Sequence, residues 1–419
     1  MKLFRVAKPE EALSALIQDY SAWHPGAETE TVSVLDAFGR FLAEDITVSE
    51  NIPPFARSTM DGYAVVAVDT AGAGESIPVL LDVAERTRAG TVPTKGIGSG
   101  LCAYVPTGGM IPEGADAVVP VEYCQTVSET RIAVYAAVSA GRNTVLPGED
   151  VPEGAVLLRK GTRIFSAETG LLCAAGVTKV RVFSPLKVWI VSTGDEIVPP
   201  ERTPGPGKMR DVNGAALAAK CREMGLVSAG QELIPDDPDL LVSALKRAAR
   251  EADVVLCSGG SSKGERDLTA EAVEKATGRP LLVHGISMKP GKPAIIGTSA
   301  ENGCVVLGLP GHPVAALLVC GYLLGGLWES MTGADQRKAV RYTFGITGRN
   351  IPSSPGRKTV QQVRLIENAE GLPTVMPVNA KSGLIRSLTE TDGFVVIEEN
   401  SEGIRKGETV RVWLNGICT

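Results

Sequence analysis

The sequence predicts a multidomain α/β protein, and three observations carry that prediction. The chain has 419 residues, more than one ordinary core accommodates. From about residue 186 to 330, short apolar runs alternate with helical stretches, the pattern of a doubly wound, mostly parallel sheet. The segments before and after it are dominated by short β-like runs cut by Gly and Pro.

Taken in order, residues 8–45 read as helical, because Leu13, Leu16 and Ile17, and then Val34, Leu35, Phe38 and Leu42, recur at helical spacing. From 47 to 148 the texture turns to β, with runs at Tyr63–Val68, Ala103–Val105 and Ala117–Val121. A strand at Ala155–Leu158 and a helix at Ala167–Ala175, ended by Gly176, return the chain to its starting character. The β-rich segment is therefore expected to be an insertion. Strands at Lys187–Val191, Leu226–Ile234 and Asp253–Cys257 then alternate with helices at Gly214–Met224 and Pro238–Arg250, the latter with Asp237 as N-cap. A helix over 268–277, strands near Leu281–Gly285, Ala294–Gly297 and Cys304–Leu307, and a helix over 313–330 complete this unit. Strands at Tyr342–Thr347, Val360–Leu365, Phe394–Ile397 and Thr409–Leu414 predict a final small β-barrel or sandwich. The expected domains are 1–46 plus 149–184, the insertion 47–148, the α/β unit 185–332, and a β domain 338–419.

Composition narrows the function. A net charge of −6 supplies no electrostatic footprint for nucleic acid, so a site for an anion must draw on local positive charge. Eight cysteines are scattered without a C-x-x-C pair and only three histidines exist, which argues against structural zinc and for reduced thiols. The first ten residues lack the apolar region of a secretory signal. The most apolar run, Pro313–Trp328, is broken by glycines and reads as a buried helix. A cytoplasmic protein with no membrane segment is expected.

Three strands of the α/β unit end in glycine-rich turns: Ser192-Thr-Gly194-Asp-Glu196, Ser258-Gly259-Gly260-Ser261-Ser-Lys263-Gly-Glu-Arg-Asp267, and Gly308-Leu-Pro310-Gly-His312-Pro313. Ligands of open parallel sheets bind beyond the strands' carboxyl ends, where such turns let backbone N–H groups approach a phosphate. Neither a Walker nor a G-x-G-x-x-G motif fits, which disfavours ATPase and nicotinamide chemistry. Ser287-Met-Lys289-Pro-Gly-Lys292-Pro293 sets two lysines in a proline-stiffened loop, either an anion clamp or a solvated connection. In the insertion, Asp61 of Met60-Asp-Gly62 and Asp150 of Gly148-Glu-Asp150 are either ligands for a hard cation or ordinary turn residues.

These segments, met together and in order, resemble the MoeA family of molybdopterin molybdenumtransferases and the gephyrin E domain. Pro53-Pro-Phe-Ala-Arg-Ser-Thr-Met-Asp-Gly-Tyr-Ala64 is similar to the family's P-P-F-x-x-S-x-M-D-G-Y-A. Thr107–Val119 is similar to its T-G-x-x-x-P-x-G-x-D-A-V-V. Gly148–Asp150, Ser192–Glu196, Ser258–Asp267, Lys289–Pro293 and Gly308–Gly311 follow, so the likeness spans about Val6 to Trp413.

The resemblance implies an enzyme that takes adenylylated molybdopterin and molybdate, cleaves the phosphoanhydride with Mg²⁺, and releases AMP with the molybdenum cofactor. It also implies a homodimer of four-domain subunits whose site lies between the MoaB-like domain of one and the inserted domain of the other. A MogA/MoaB-type adenylyltransferase and apo-molybdoenzymes are the implied further partners. By position, Asp61, Thr107 and Asp150 would line the site from the insertion, and Glu196, Asp267, Lys289 and Lys292 from the sheet. Asp61, Thr107, Asp150, Glu196 and Asp267 are expected to be catalytic. A subset of the four carboxylates would hold Mg²⁺, which takes only one or two. Ser192, Gly194, Ser258, Gly259, Gly260, Ser261, Lys263, Lys289, Lys292, Pro310 and His312 are expected to bind substrate.

Three departures bear on oxyanion choice, molybdate or tungstate. His312 stands where many members have Asn, Val145-Leu146-Pro147 replaces a basic run with only Arg142 nearby, and Ser262-Lys263 adds a charge. An adenylyltransferase reading is disfavoured by the inserted domain. A gephyrin-like scaffold is disfavoured because the extra N-terminal domain and linker expected of one are missing from this sequence, and a purely structural homologue by the retained Asp61, Asp150, Glu196 and Asp267.

Overall fold

A computed structural model describes residues 6–24, 26–259, 265–334, 342–369, 371–378 and 381–415, with the side chains of 265–267 not described. The first helix, α1 (Pro9–Trp23), buries Ala12, Leu16 and Tyr20. The helical reading fails beyond it. Pro25-Gly26 follows, and Thr29–Ser33 is a strand paired antiparallel with Lys179–Phe183, succeeded by a single 3-10 turn at Val34–Asp36. Leu35 and Phe38, counted as one face of a helix, are 77% and 68% exposed. Helix α2 (Ser166–Ala174) stops before Gly176, whose φ of +71° suits glycine.

The chain enters and leaves the segment 47–148 along an antiparallel ribbon. Ile46–Thr47 pairs with Val156–Leu158, and Arg57–Ser58 with Thr144–Val145. Within it a six-stranded sheet packs a core of Tyr63, Val65, Leu81, Val119, Ile132 and Val134 on one face.

The α/β unit is built on a second six-stranded sheet, ordered Val227–Ile234, Lys187–Thr193, Val254–Ser258, Cys304–Leu309, Ile295–Ser299, Val283–His284. The first four strands are mutually parallel, and Ile295–Ser299 pairs antiparallel with both Cys304–Leu309 and Val283–His284. Val254–Ser258 and Cys304–Leu309 are buried along their whole length, because helices cover both faces. Those helices are α3 (Asn213–Glu223), α4 (Pro238–Glu251), α5 (Glu265–Thr277) and α6 (Pro313–Thr332). Among the described residues α6 alone is long and apolar enough to cross a membrane, yet its Val319, Leu323, Leu327 and Trp328 lie in the main core with α1 and α3.

Helix α4 begins as its sequence requires. The Asp237 carboxylate accepts from the backbone N–H groups of Asp239 and Leu240, both at 2.9 Å, and Pro238 needs no partner. Asp237→Ala is expected to cost about 1 kcal/mol, read as a lower urea midpoint at unchanged slope.

The C-terminal strands close into a barrel. Lys358–Ile366 pairs with Thr374–Pro377, then Tyr342–Thr347, Thr409–Leu414 and Gly393–Ile397, which returns to Lys358–Ile366. One strand crosses over from the α/β unit. Met288–Lys289 adds in parallel to the barrel strand Lys358–Ile366, so the lysine loop is a structural joint and not a free connection.

Candidate functional site

The lysine loop forms one wall of a cavity of about 470 Å³ between the α/β unit and the barrel. Lys289, Lys292, Pro310 and His312, all singled out from the sequence, line it. So do Arg357, Gln361, Gln362 and Ser382, which carried no local signal and come from the barrel. Lys289, Lys292 and Arg357 are exposed, and none has an ion-pair partner among the described residues. Three unpaired cations around one hollow make a site for an anion, despite the chain's net charge of −6. At the rim the His312 ring Nδ1 lies 2.7 Å from Ser382 Oγ, and the Val314 N–H donates to the Ser382 carbonyl.

Beside this cavity three parallel strands end together. Ser192 and Ser258 are register partners at the carboxyl ends of Lys187–Thr193 and Val254–Ser258, and both are buried. Asn213, at the first turn of α3, donates through Nδ2 to Ser258 Oγ at 2.7 Å and to the Gly311 carbonyl at 2.9 Å. Sequence reasoning missed Asn213, since a single Asn opening a helix reads as a cap. Ser192 Oγ and Asn213 Oδ1 are buried with no hydrogen-bond partner among the described residues. Orphaned polar atoms at strand carboxyl ends are what a bound ligand would satisfy.

The glycine turns differ from one another more than expected. After Gly194 the chain does not enter a helix; it passes through the paired strands Ile197–Val198 and Met209–Arg210 before α3 starts. Only the turns after Ser258 and Leu309 lead into helix N-termini. Gly259 is required by a close approach, because a Cβ there would lie 2.2 Å from the Thr193 carbonyl oxygen. Gly259→Ala is expected to cost about 1–3 kcal/mol and to displace the turn, measurable as a lower urea midpoint. The Glu196 carboxylate folds back over Gly194, where a Cβ would lie 2.9 Å from its Oε2. The turn is pinned by Asp236, which accepts from Thr193 Oγ1 at 2.8 Å and from the Asp195 N–H at 3.1 Å. Gly260, Ser261 and Lys263 lie outside the described residues, as does the side chain of Asp267 in α5.

On the inserted segment the structure joins Asp61 to Thr107. Asp61 Oδ1 accepts from the Thr107 N–H at 2.7 Å and from its hydroxyl at 2.9 Å. Those two donors, the backbone one foremost, hold the exposed carboxyl below the usual carboxylate range. Asp61 ends the bend between Arg57–Ser58 and the strand Gly62–Val65, which Gly62 opens; a Cβ on Gly62 would meet the Val119 carbonyl oxygen at 2.3 Å. Asp150 is exposed in a loop whose Glu149 accepts from the Leu146 N–H at 2.7 Å, so Glu149 closes the turn and Asp150 is left outward. Arg142 is exposed nearby, its carbonyl oxygen accepting from the Val118 N–H. Among the described residues no three His, Cys, Asp or Glu side chains are grouped to hold a metal ion, so Asp61, Asp150 and Glu196 do not form one three-carboxylate cluster.

Comparison with known proteins supplies the context. Residues 7–176 match the family model of the MoeA N-terminal region (domain I and II), 189–325 that described as a probable molybdopterin binding domain, and 345–414 that of the MoeA C-terminal region (domain IV). The chain is 32% identical over 391 residues to the molybdopterin molybdenumtransferase of Bacillus subtilis, covering 92% of this chain and 90% of that protein. It is 31% identical over 386 residues to that of Haemophilus influenzae, covering 92% and 93%. A solved molybdopterin biosynthesis MoeA protein from Pyrococcus horikoshii superposes with a TM-score of 0.78 at 32% identity, over 98% of this chain and all 100% of that one.

Proposed function

We propose, from the premise that the chain belongs to the MoeA family of molybdenum cofactor biosynthesis, that it is a molybdopterin molybdenumtransferase acting on adenylylated molybdopterin. The observation that carries this reading is the cavity with Lys289, Lys292 and Arg357 unpaired around it, next to the buried polar ends of the parallel strands. Molybdate is a compact tetrahedral dianion, and fixed cations with a hydroxyl donor suit it. The pterin and its phosphate would lie along Ser192, Ser258 and Asn213, where amide and hydroxyl groups await partners.

Mg²⁺ fits the donor set. Asp61, Asp150 and Glu196 are exposed carboxylates, and Asp61 stays ionised through the neutral range. One or two of them, with substrate oxygens and water, would hold the ion. When bound, it neutralises charge that develops as the phosphoanhydride breaks. The chain's own work is then to orient the anhydride between carboxylates and lysines, with Thr107 fixing the Asp61 carboxylate. The proposed enzyme is a cytoplasmic homodimer, in which the insertion of a second copy brings Asp61 and Asp150 to the site.

The test supplies adenylylated molybdopterin with Mg²⁺ and molybdate, then tungstate, and measures AMP. Release that depends on either oxyanion supports the transferase; no release with both rejects it. A preference for tungstate would reassign the cargo and leave the reaction class standing.

A further inference from the structure

His312 is the N-cap residue of α6, but its side chain makes no capping bond to that helix. The ring turns instead toward the barrel, where Nδ1 meets Ser382 Oγ at 2.7 Å. The neighbouring Val314 N–H donates to the Ser382 carbonyl at 3.2 Å, so one barrel residue is tied to the helix start through both backbone and side chain. The ring also lies over Gly383, where a Cβ would sit 3.7 Å from the imidazole Cδ2. Both His312 and Ser382 line the cavity that Lys289, Lys292 and Arg357 also line.

A serine hydroxyl has one proton to give. If His312 Nδ1 is bare, that proton is spent on the imidazole, and Ser382 presents only lone pairs to the cavity. An oxygen of that kind repels an anion. If Nδ1 carries the proton, it donates to Ser382 Oγ, and the hydroxyl hydrogen is released toward the cavity. The surrounding cations select an anionic occupant, and an anionic occupant selects the second arrangement.

We propose that His312 is a positioning residue for oxyanion binding. Its Nδ1–H holds the Ser382 oxygen so that the serine proton points at the bound molybdate. The inference rests on the oxyanion reading of the cavity. An asparagine in its place would also offer an N–H to Ser382, whereas an aliphatic side chain would offer none.

The experiment is calorimetric titration of molybdate into the full-length wild-type protein and into His312→Leu, His312→Asn, Ser382→Ala and the His312→Leu/Ser382→Ala double variant. Lys289→Ala/Lys292→Ala serves as a reference for the cavity. His312→Leu and Ser382→Ala are each expected to weaken binding by roughly ten- to a hundredfold, His312→Asn to keep it near wild type, and the double variant to lose no more than either single one. Ser382→Ala removes one exposed-side oxygen, so it decides the matter if His312→Leu fails to fold. Selective ¹⁵N labelling reads the proton directly, because the chain has only three histidines. With molybdate bound, His312 Nδ1 should be protonated.

Additive losses in the double variant, unchanged affinity in His312→Leu, or a bare Nδ1 in the molybdate complex would overturn the inference while the cavity reading survives. Wild-type protein that binds no molybdate, or binds it equally without the two lysines, would overturn both.

Discussion

Asp61→Ala is expected to lower AMP release from adenylylated molybdopterin by a factor of about 10²–10³ without loss of fold. The carboxylate is exposed and buries nothing, so its removal leaves packing intact. Its position is nevertheless fixed by two donors from Thr107, at 2.7 and 2.9 Å, an arrangement with no evident structural purpose. Thr107→Val keeps the backbone donor and loses the hydroxyl, and should cost less. The sign of the pH effect follows. The folded-state pKa of Asp61 is depressed, so any stabilisation it brings is present above the unfolded value and lost as pH falls through the folded one. Because the group is fully exposed, the effect is sought in rate and not in stability. The acid limb of the rate profile should lie at higher pH in Thr107→Val than in wild type. An unchanged rate in Asp61→Ala, with unchanged thermal unfolding, would remove Asp61 from the site.

Lys289→Ala/Lys292→Ala is expected to weaken molybdate binding by about 10²–10⁴-fold, two charge-assisted hydrogen bonds being lost from one hollow. Each single variant should show part of that loss. Both ammonium groups are exposed and unpaired among the described residues, so neither substitution strands a buried partner. Wild-type affinity should also fall with added salt, and the double variant's should fall less steeply. A double variant with wild-type affinity would move the oxyanion elsewhere.

The architecture was legible wherever local pattern and final environment agree. Val254–Ser258 and Cys304–Leu309 read as continuous apolar runs because helices bury both of their faces. Asp237-Pro238 announced the start of α4 because capping is a local event. The stretch 24–45 was misread because its governing contact is distant: Thr29–Ser33 is held by Lys179–Phe183, and no periodicity within the stretch records that pairing. The need for glycine at Gly62 was invisible for a related reason, since the Val119 carbonyl that excludes a side chain there is supplied by another strand. In the site, glycine turns and clustered lysines stood out as composition. Arg357 and Ser382 did not, because each is an ordinary loop residue until the barrel strand Lys358–Ile366 accepts Met288–Lys289 and brings the two walls together.

That joint is where the account is most exposed to test. Crystals grown with molybdate and measured at the molybdenum absorption edge would locate the metal by anomalous scattering. The account predicts a peak in the cavity bounded by Lys289, Lys292, Arg357 and Ser382, absent from crystals of the double lysine variant. A molybdenum peak at another place on the chain, retained when both lysines are removed, would contradict it.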